Sequence, residues 1–324
     1  MPTVARAYAK INLGLYIGPV RGDGFHELRT VYQTIDVCDV IRVSASSGAG
    51  IEIRCQHPQV PQDENNTCWR VVERVMRTLQ QRRRVVIEIE KNLPVQGGLG
   101  AGSSDAAAAM LALERELGVS LAAEDRLSIA AEVGSDVPLF LVGGTVLGTG
   151  RGEQVAPLPD LPPLALVIAT PNVGVSTPQA FADWDTLMKS AQDALTPGSA
   201  ASRIDKFSRT LFAWLAGSLS GVPVKDRDRG ETLLLDLVRA GIENDFERVV
   251  FPQCPELSEM KGVLKREGAK YASLSGSGSA LYGIFESPEM AELAATALTA
   301  RGIEATAVRT LSRYEYWKQF RLKI

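Results

Sequence analysis

"VQGGLGAGSSDAAAAMLAL", residues 95–113, decides how the rest of the chain is read. Gly97, Gly98, Gly100 and Gly102 run into Ser103, Ser104 and Asp105, and then into an alanine-rich helix. The stretch follows a strand candidate, carries little side-chain bulk, and opens a helix whose first N–H groups present partial positive charge. Those are the properties of an anion cradle. The common phosphate loop, G-x-x-x-x-G-K-S/T, adds a lysine that offsets phosphate charge; here the lysine is missing. A plain turn capped by Ser104 or Asp105, worth on the order of 1 kcal/mol, would not need so many glycines, each costly in backbone entropy. A second cluster, "SLSGSGSALY" (273–282), reads either as a tight hairpin turn or as a ligand contact. Neither cluster fits G-x-G-x-x-G, so a Rossmann dinucleotide site is not supported.

The chain around this loop has 324 residues, 45% hydrophobic and 23% charged, a globular composition with room for two domains. Its net charge of −3 lacks the basic field of a nucleic-acid binder, and "QQRRRVV" (80–86) reads as a solvated face. The N-terminus has no continuous apolar run, and "PPLALVIATP" is too short to span a bilayer, so a cytoplasmic protein without membrane or nucleic-acid partners is expected. Cys38, Cys55, Cys68 and Cys254 are scattered with no C-x-x-C pair, which suits free thiols. His26 and His57 are the only histidines, which disfavours a metal centre and a Ser-His-Asp triad. Chemistry is left to lysine, carboxylates and backbone amides.

Strands are predicted at 39–46, 50–55 and 85–93, and helices at 66–80, 105–117 and 123–134, the last two stopped by Gly118 and Gly134. The prolines of "LPDLPPLALVIATP" mark a boundary near 160, giving units of 1–160 and 161–324. Beyond it the order is strand, helices, two strands around the second glycine cluster, helix, strand. That is an α+β order rather than steady βαβ alternation. The polar, breaker-rich stretch from Ser190 to Arg229 predicts mobile loops.

A cation for the loop has to come from elsewhere. Lys10 lies in "ARAYAKINLGLYI", a near-alternating strand candidate with Tyr8, Lys10 and Asn12 on one face. A lysine is usually a surface residue, but small alanines flank this one and leave room for a partly buried polar site. Asp136, in "VGSDVPLFLVGG", precedes an apolar run and reads either as the N-cap of a short helix or as a site carboxylate. Composition leaves both residues open.

"AKINLGLYI", "GGLGAGSSDAAAA", "GSDVPLFLVGG" and "SLSGSGSALYGIF" stand in the order and approximate spacing of the GHMP kinase superfamily, which the chain resembles over most of its length. That family's ATP loop has no lysine. "RGDGFHELRTVYQTID" (21–36) narrows the resemblance to the branch whose acceptor carries a cytosine base, in isoprenoid precursor biosynthesis. The resemblance implies a two-domain α+β fold: an N-terminal ribosomal-protein-S5-like domain, a C-terminal ferredoxin-like domain, and the active site in the cleft between them. It implies ATP as phosphoryl donor, with Mg²⁺ carried on the nucleotide, a small-molecule acceptor, and a monomer or homodimer. Carried over residue by residue, Gly97, Gly98, Leu99, Gly100, Ala101, Gly102, Ser103 and Ser104 would cradle the triphosphate, with Asn66 on the adenine side. Lys91 would be a further nucleotide contact, or else an exposed strand-end lysine. Lys10 and Asp136 would be the catalytic pair. Phe25 and Phe181 would clamp the cytosine, His26 would read its edge, and Asn12 and Thr177 would meet the rest of the acceptor. Three features depart from the family pattern: Phe25 where tyrosine is commoner, Gln96 and Ala101 where glycine is frequent, and a long 190–229 stretch. Rival expectations are a GHMP kinase for homoserine, a sugar or mevalonate, or a non-catalytic nucleotide-binding regulator.

Overall fold

A long antiparallel hairpin, β1 (Thr3–Val20) with β2 (His26–Ser46), is the frame on which the chain is built. The computed structural model describes residues 1–95, 97–192, 204–205, 207–209, 211 and 242–320. Gln96 and most of the 190–229 stretch, which the sequence singles out, lie outside them.

The first sheet adds β3 (Gly50–Cys55), β4 (Arg84–Glu90), β5 (Thr145–Thr149) and β6 (Gln154–Pro157) in the order β3-β4-β2-β5-β6, with β1 paired to β2. Only β3 and β4 are parallel, and α1 (Thr67–Thr78) connects them. Cys68, Val71, Val72, Val75 and Met76 form the buried stripe of that helix. α2 (Ala101–Leu117) is buried almost all round, and Ala106 to Ala109 are wholly inaccessible. Small side chains let it lie close to both α1 and the hairpin. α3 (Ala123–Val133) and a single 3₁₀ turn at Pro138–Leu141 complete this half.

The second sheet is antiparallel, with β7 (Ala165–Ala169), β8 (Tyr271–Leu274), β9 (Leu281–Phe285) and β10 (Ala305–Arg309) in the order β10-β7-β9-β8. Counted within this half, that is fourth, first, third, second, the ferredoxin-like order. α4 (Thr177–Gln192), α5 (Glu247–Gln253), α6 (Pro255–Arg266) and α7 (Pro288–Thr299) belong to it. α8 (Arg313–Phe320), which the sequence reading does not anticipate, crosses back to the first half. There Tyr316 packs beside Tyr8 and donates to the Phe140 carbonyl at 2.7 Å. Among the described residues no helix is long and apolar enough to cross a membrane.

Three local differences from the sequence reading have physical causes. β1 is buried continuously from Ala7 to Ile17 instead of alternating. Its side chains enter three different clusters, so both faces are covered, and register shifts after Tyr8 and Asn12 break the period of two. β2 starts at His26 rather than 39, because its buried Thr30, Gln33 and Thr34 look like surface polar residues until their partners are seen. α2 starts at Ala101, four residues before the predicted start at Asp105. Gly100, at φ 71°, makes the turn itself, so Ser104 and Asp105 are inside the helix and cap nothing.

Candidate active site

One cavity of about 870 Å³ opens between the glycine loop, the β1–β2 hairpin and α4. Its floor is the loop. The Leu99 carbonyl accepts the backbone N–H of Lys10 at 3.0 Å, the Gly97 carbonyl accepts that of Ala280 at 3.0 Å, and the Gly98 carbonyl accepts the Ser275 hydroxyl at 2.9 Å. With its carbonyls tied outward, the loop turns into α2, where Ser104 N–H to Gly100 O is the first helical bond. The N–H groups of Ala101, Gly102 and Ser103 therefore have no intrahelical partner and stand at the positive end of the helix. Gly98 has φ 75°, and a side chain there would collide with the Ser275 carbonyl. Thr67, at the start of α1, donates to the Gly102 carbonyl at 2.6 Å and joins the two helix N-termini.

Lys10 brings an ammonium group next to the loop, whose own sequence has no lysine. Its side chain is only 3% exposed and passes beneath the loop, where a Cβ on Gly100 would come within 3.1 Å of its Cγ. The ammonium donates to Asn12 Oδ1 at 2.7 Å and faces Asp136 Oδ2 at 3.5 Å. Asp136 does not cap the 3₁₀ turn, whose first residue has no side-chain cap. Its Oδ1 accepts the Tyr32 hydroxyl at 3.0 Å instead. Burial and the Asp136 carboxylate push the Tyr32 phenol well above its ordinary value, so it donates as a neutral O–H. Asn12 completes the line by donating to Thr30 Oγ1 at 2.7 Å. Lys10, Asn12, Tyr32 and Asp136 all line the cavity.

Other expected contacts are placed differently. Leu99 points its side chain into the core at 2% exposure, and Ser104, at 1%, does not reach the cavity. A helix starting at Ala101 turns residue 104 inward, and its hydroxyl is buried with no hydrogen-bond partner among the described residues. Asn66 lines the cavity, but its side chain is occupied: Oδ1 accepts Cys68 N–H at 2.8 Å as the N-cap of α1, and Nδ2 donates to the Pro61 carbonyl. Lys91 is neither exposed nor free, because its ammonium bonds Asp39 and, at 3.0 Å, Asp105 beneath the loop. Burial, and the nearby Asp39 carboxylate, raise Asp105 to about 8 against the pull of Lys91.

The far end of the cavity is aromatic. His26 stacks on Phe181 with ring centres 5.1 Å apart, and Phe246 meets Phe181 edge-on at 5.0 Å. Phe25 is 54% exposed at the hairpin tip. The Arg151 guanidinium lies over its ring at 4.9 Å. Thr177, at the start of α4, shares a 2.6 Å hydrogen bond with Ser277 of the second glycine cluster. That cluster is both a turn between β8 and β9 and a wall of the cavity. The sequence reading missed Tyr32, Arg151, Asp185 and Ser277. Only the pairing Asn12↔Tyr32 across the hairpin could have indicated Tyr32.

The fold, the lysine-free loop and the pairing of buried Lys10 with partly exposed Asp136 define a GHMP kinase. The profiles "GHMP kinases N terminal domain" and "GHMP kinases C terminal" match residues 66–144 and 230–304. A 4-diphosphocytidyl-2-C-methyl-D-erythritol kinase of Solibacter usitatus is 39% identical over 280 residues, 86% of this chain and 80% of its own length. A crystal structure of 4-(cytidine 5'-diphospho)-2C-methyl-D-erythritol kinase superposes with a TM-score of 0.71 at 29% identity, covering 95% of this chain and 98% of that one. A homoserine kinase from Cytophaga hutchinsonii shares the fold with a TM-score of 0.66 at 22% identity, over 96% and 94% of the two chains. The chain belongs to the 4-diphosphocytidyl-2-C-methyl-D-erythritol kinase family.

Proposed function

We propose that this chain transfers the γ-phosphoryl group of ATP to the 2-hydroxyl of 4-diphosphocytidyl-2-C-methyl-D-erythritol, working as a cytoplasmic enzyme. The observation that carries the reading is that one cavity joins the glycine loop, the Lys10–Asp136 pair and an aromatic end around His26. A sugar or homoserine acceptor has no base to use that end.

ATP, when bound, supplies the phosphoryl group. The free N–H groups of Ala101, Gly102 and Ser103 would hold its phosphates, with Asn66 and Thr67 beside the rest of the nucleotide. Asp136 would orient the acceptor hydroxyl and take its proton as oxygen attacks phosphorus and ADP departs. Lys10 would neutralise charge on the transferred group, held to the task by Asn12. Mg²⁺ is assigned to the nucleotide, since among the described residues no three His, Cys, Asp or Glu side chains are grouped to hold a metal, and the lining carboxylates Asp105, Asp136 and Asp185 each bond a protein partner. Phe25 and Phe181 would stack the cytosine, and Thr177 would face the acceptor's erythritol or diphosphate portion.

The test is ADP release with ATP–Mg²⁺ and the cytidine acceptor, run beside homoserine, galactose and mevalonate, with phosphorus NMR of the product. Turnover of the cytidine compound alone, giving a new monophosphate ester, is the expected result. Turnover of another acceptor would discard the aromatic assignment. ATP binding without any turnover would favour a regulator.

A further inference from the structure

α4 brings two of its residues to the His26 ring, four positions apart and therefore on one face of the helix. Phe181 lies flat on the ring at an interplanar angle of 14°, and Asp185 Oδ1 reaches Nε2 at 2.8 Å. A carboxylate only accepts, so Nε2 carries the proton of this bond. No described residue is bonded to the other nitrogen, Nδ1. The ring is thus gripped on one face and one edge, 8% exposed, and His26, Phe181 and Asp185 all line the cavity.

We propose that Asp185 is a positioning residue that sets base specificity, by fixing the Nε2 proton of His26 so that Nδ1 faces the exocyclic amine of cytosine as an acceptor. The inference rests on the acceptor assigned above. Cytosine offers an N–H donor where uracil offers a carbonyl oxygen. An accepting Nδ1 pairs with the first and leaves an unpaired, mutually repelling pair of acceptors with the second. The same ring turned to the other tautomer would reverse the preference. Asp185 therefore acts through His26 without touching the base. Because it comes from α4, the docking of that helix and the reading of the base are one event.

The experiment measures kcat and KM for the cytidine acceptor and its uridine counterpart in the unmodified chain, Asp185→Ala and Asp185→Asn. Nitrogen-15 NMR of the histidines is recorded on the same samples, with a His57→Gln variant to assign the His26 signals. In the unmodified chain His26 should show the Nε2–H form. Asp185→Ala should raise KM for the cytidine acceptor about 10-fold while kcat moves less, and the cytidine-to-uridine ratio should narrow by about the same factor. Asp185→Asn keeps an accepting oxygen and should recover most of the ratio. Asp185 is 39% exposed on the outside of a helix, so neither change threatens the fold. An unchanged ratio in Asp185→Ala, or an Nδ1–H ring in the unmodified chain, would overturn the proposal. Failure of the unmodified chain to use the cytidine acceptor at all would instead overturn the acceptor assignment, and this proposal with it.

Discussion

Gly98 and Ser275 lock onto each other: the Ser275 hydroxyl donates to the Gly98 carbonyl at 2.9 Å, and the Ser275 carbonyl fills the space a side chain at 98 would need. With φ at 75°, Gly98 also occupies backbone space that other residues enter only under strain. Gly98→Ala should lower stability by about 2 kcal/mol or more, from the strain and the displaced loop together. It should also weaken ATP binding at least about 10-fold. Denaturant midpoints and a calorimetric ATP titration check both, and a variant with normal midpoint and affinity would show that the contact is not needed.

Asp136→Asn keeps the shape of the site and removes the proton acceptor. Turnover should fall by about 100-fold or more, while ATP affinity stays within about 2-fold, since the N–H groups of α2 are untouched. Turnover near the unmodified rate would remove Asp136 from the catalytic pair.

Asp105 gives a pH signature. Its value of about 8 in the fold lies above the ordinary 3.8, so between those limits the folded chain holds a proton the unfolded chain has lost. The stabilisation from that proton is complete below the lower value and fades as pH rises to the upper one. Asp105→Asn cannot titrate. Its denaturation midpoint should therefore gain on the unmodified chain steadily from about pH 5 to about pH 8.5. Parallel curves would contradict the raised value.

Asn66 should matter without any nucleotide. Asn66→Ala removes the α1 cap and should cost about 1 kcal/mol, whereas Asn66→Ser, which retains a capping oxygen, should recover part of it. Equal midpoints for the two variants would argue against capping as its main role.

Phe25 should behave oppositely. At 54% exposure, its loss in Phe25→Ala should leave the melting temperature nearly unchanged. KM for the cytidine acceptor should rise about 10-fold through lost stacking. An unaltered KM would place the base elsewhere.

What the sequence disclosed follows from how local each signal is. The strand at 50–55, the helix stops at Gly118 and Gly134 and the β8–β9 turn depend on neighbours in the chain, and they are found where they were read. Lys10 and Asp136 could be joined only through the family pattern, since residue type alone left both open: 126 positions of chain separate them, and it is the fold that brings them to 3.5 Å. Polar residues were the hardest to read. The protein partners of Asn66 and Lys91, namely Pro61, Cys68, Asp39 and Asp105, are defined only by tertiary packing. Ser104 looked like a cap because Gly100 gives no sign in one dimension that it begins the helix itself.

The interlock of the two glycine clusters has a consequence for cooperativity. The Gly97–Ala280 and Gly98–Ser275 bonds make the cavity floor from two loops, each following a strand of a different sheet. The floor therefore exists only while the two halves are docked, and a nucleotide resting on it is paid for by both. ATP should then act as a thermodynamic staple: by mass action it favours the docked state alone, merging the melting of the two halves into a single transition at saturation.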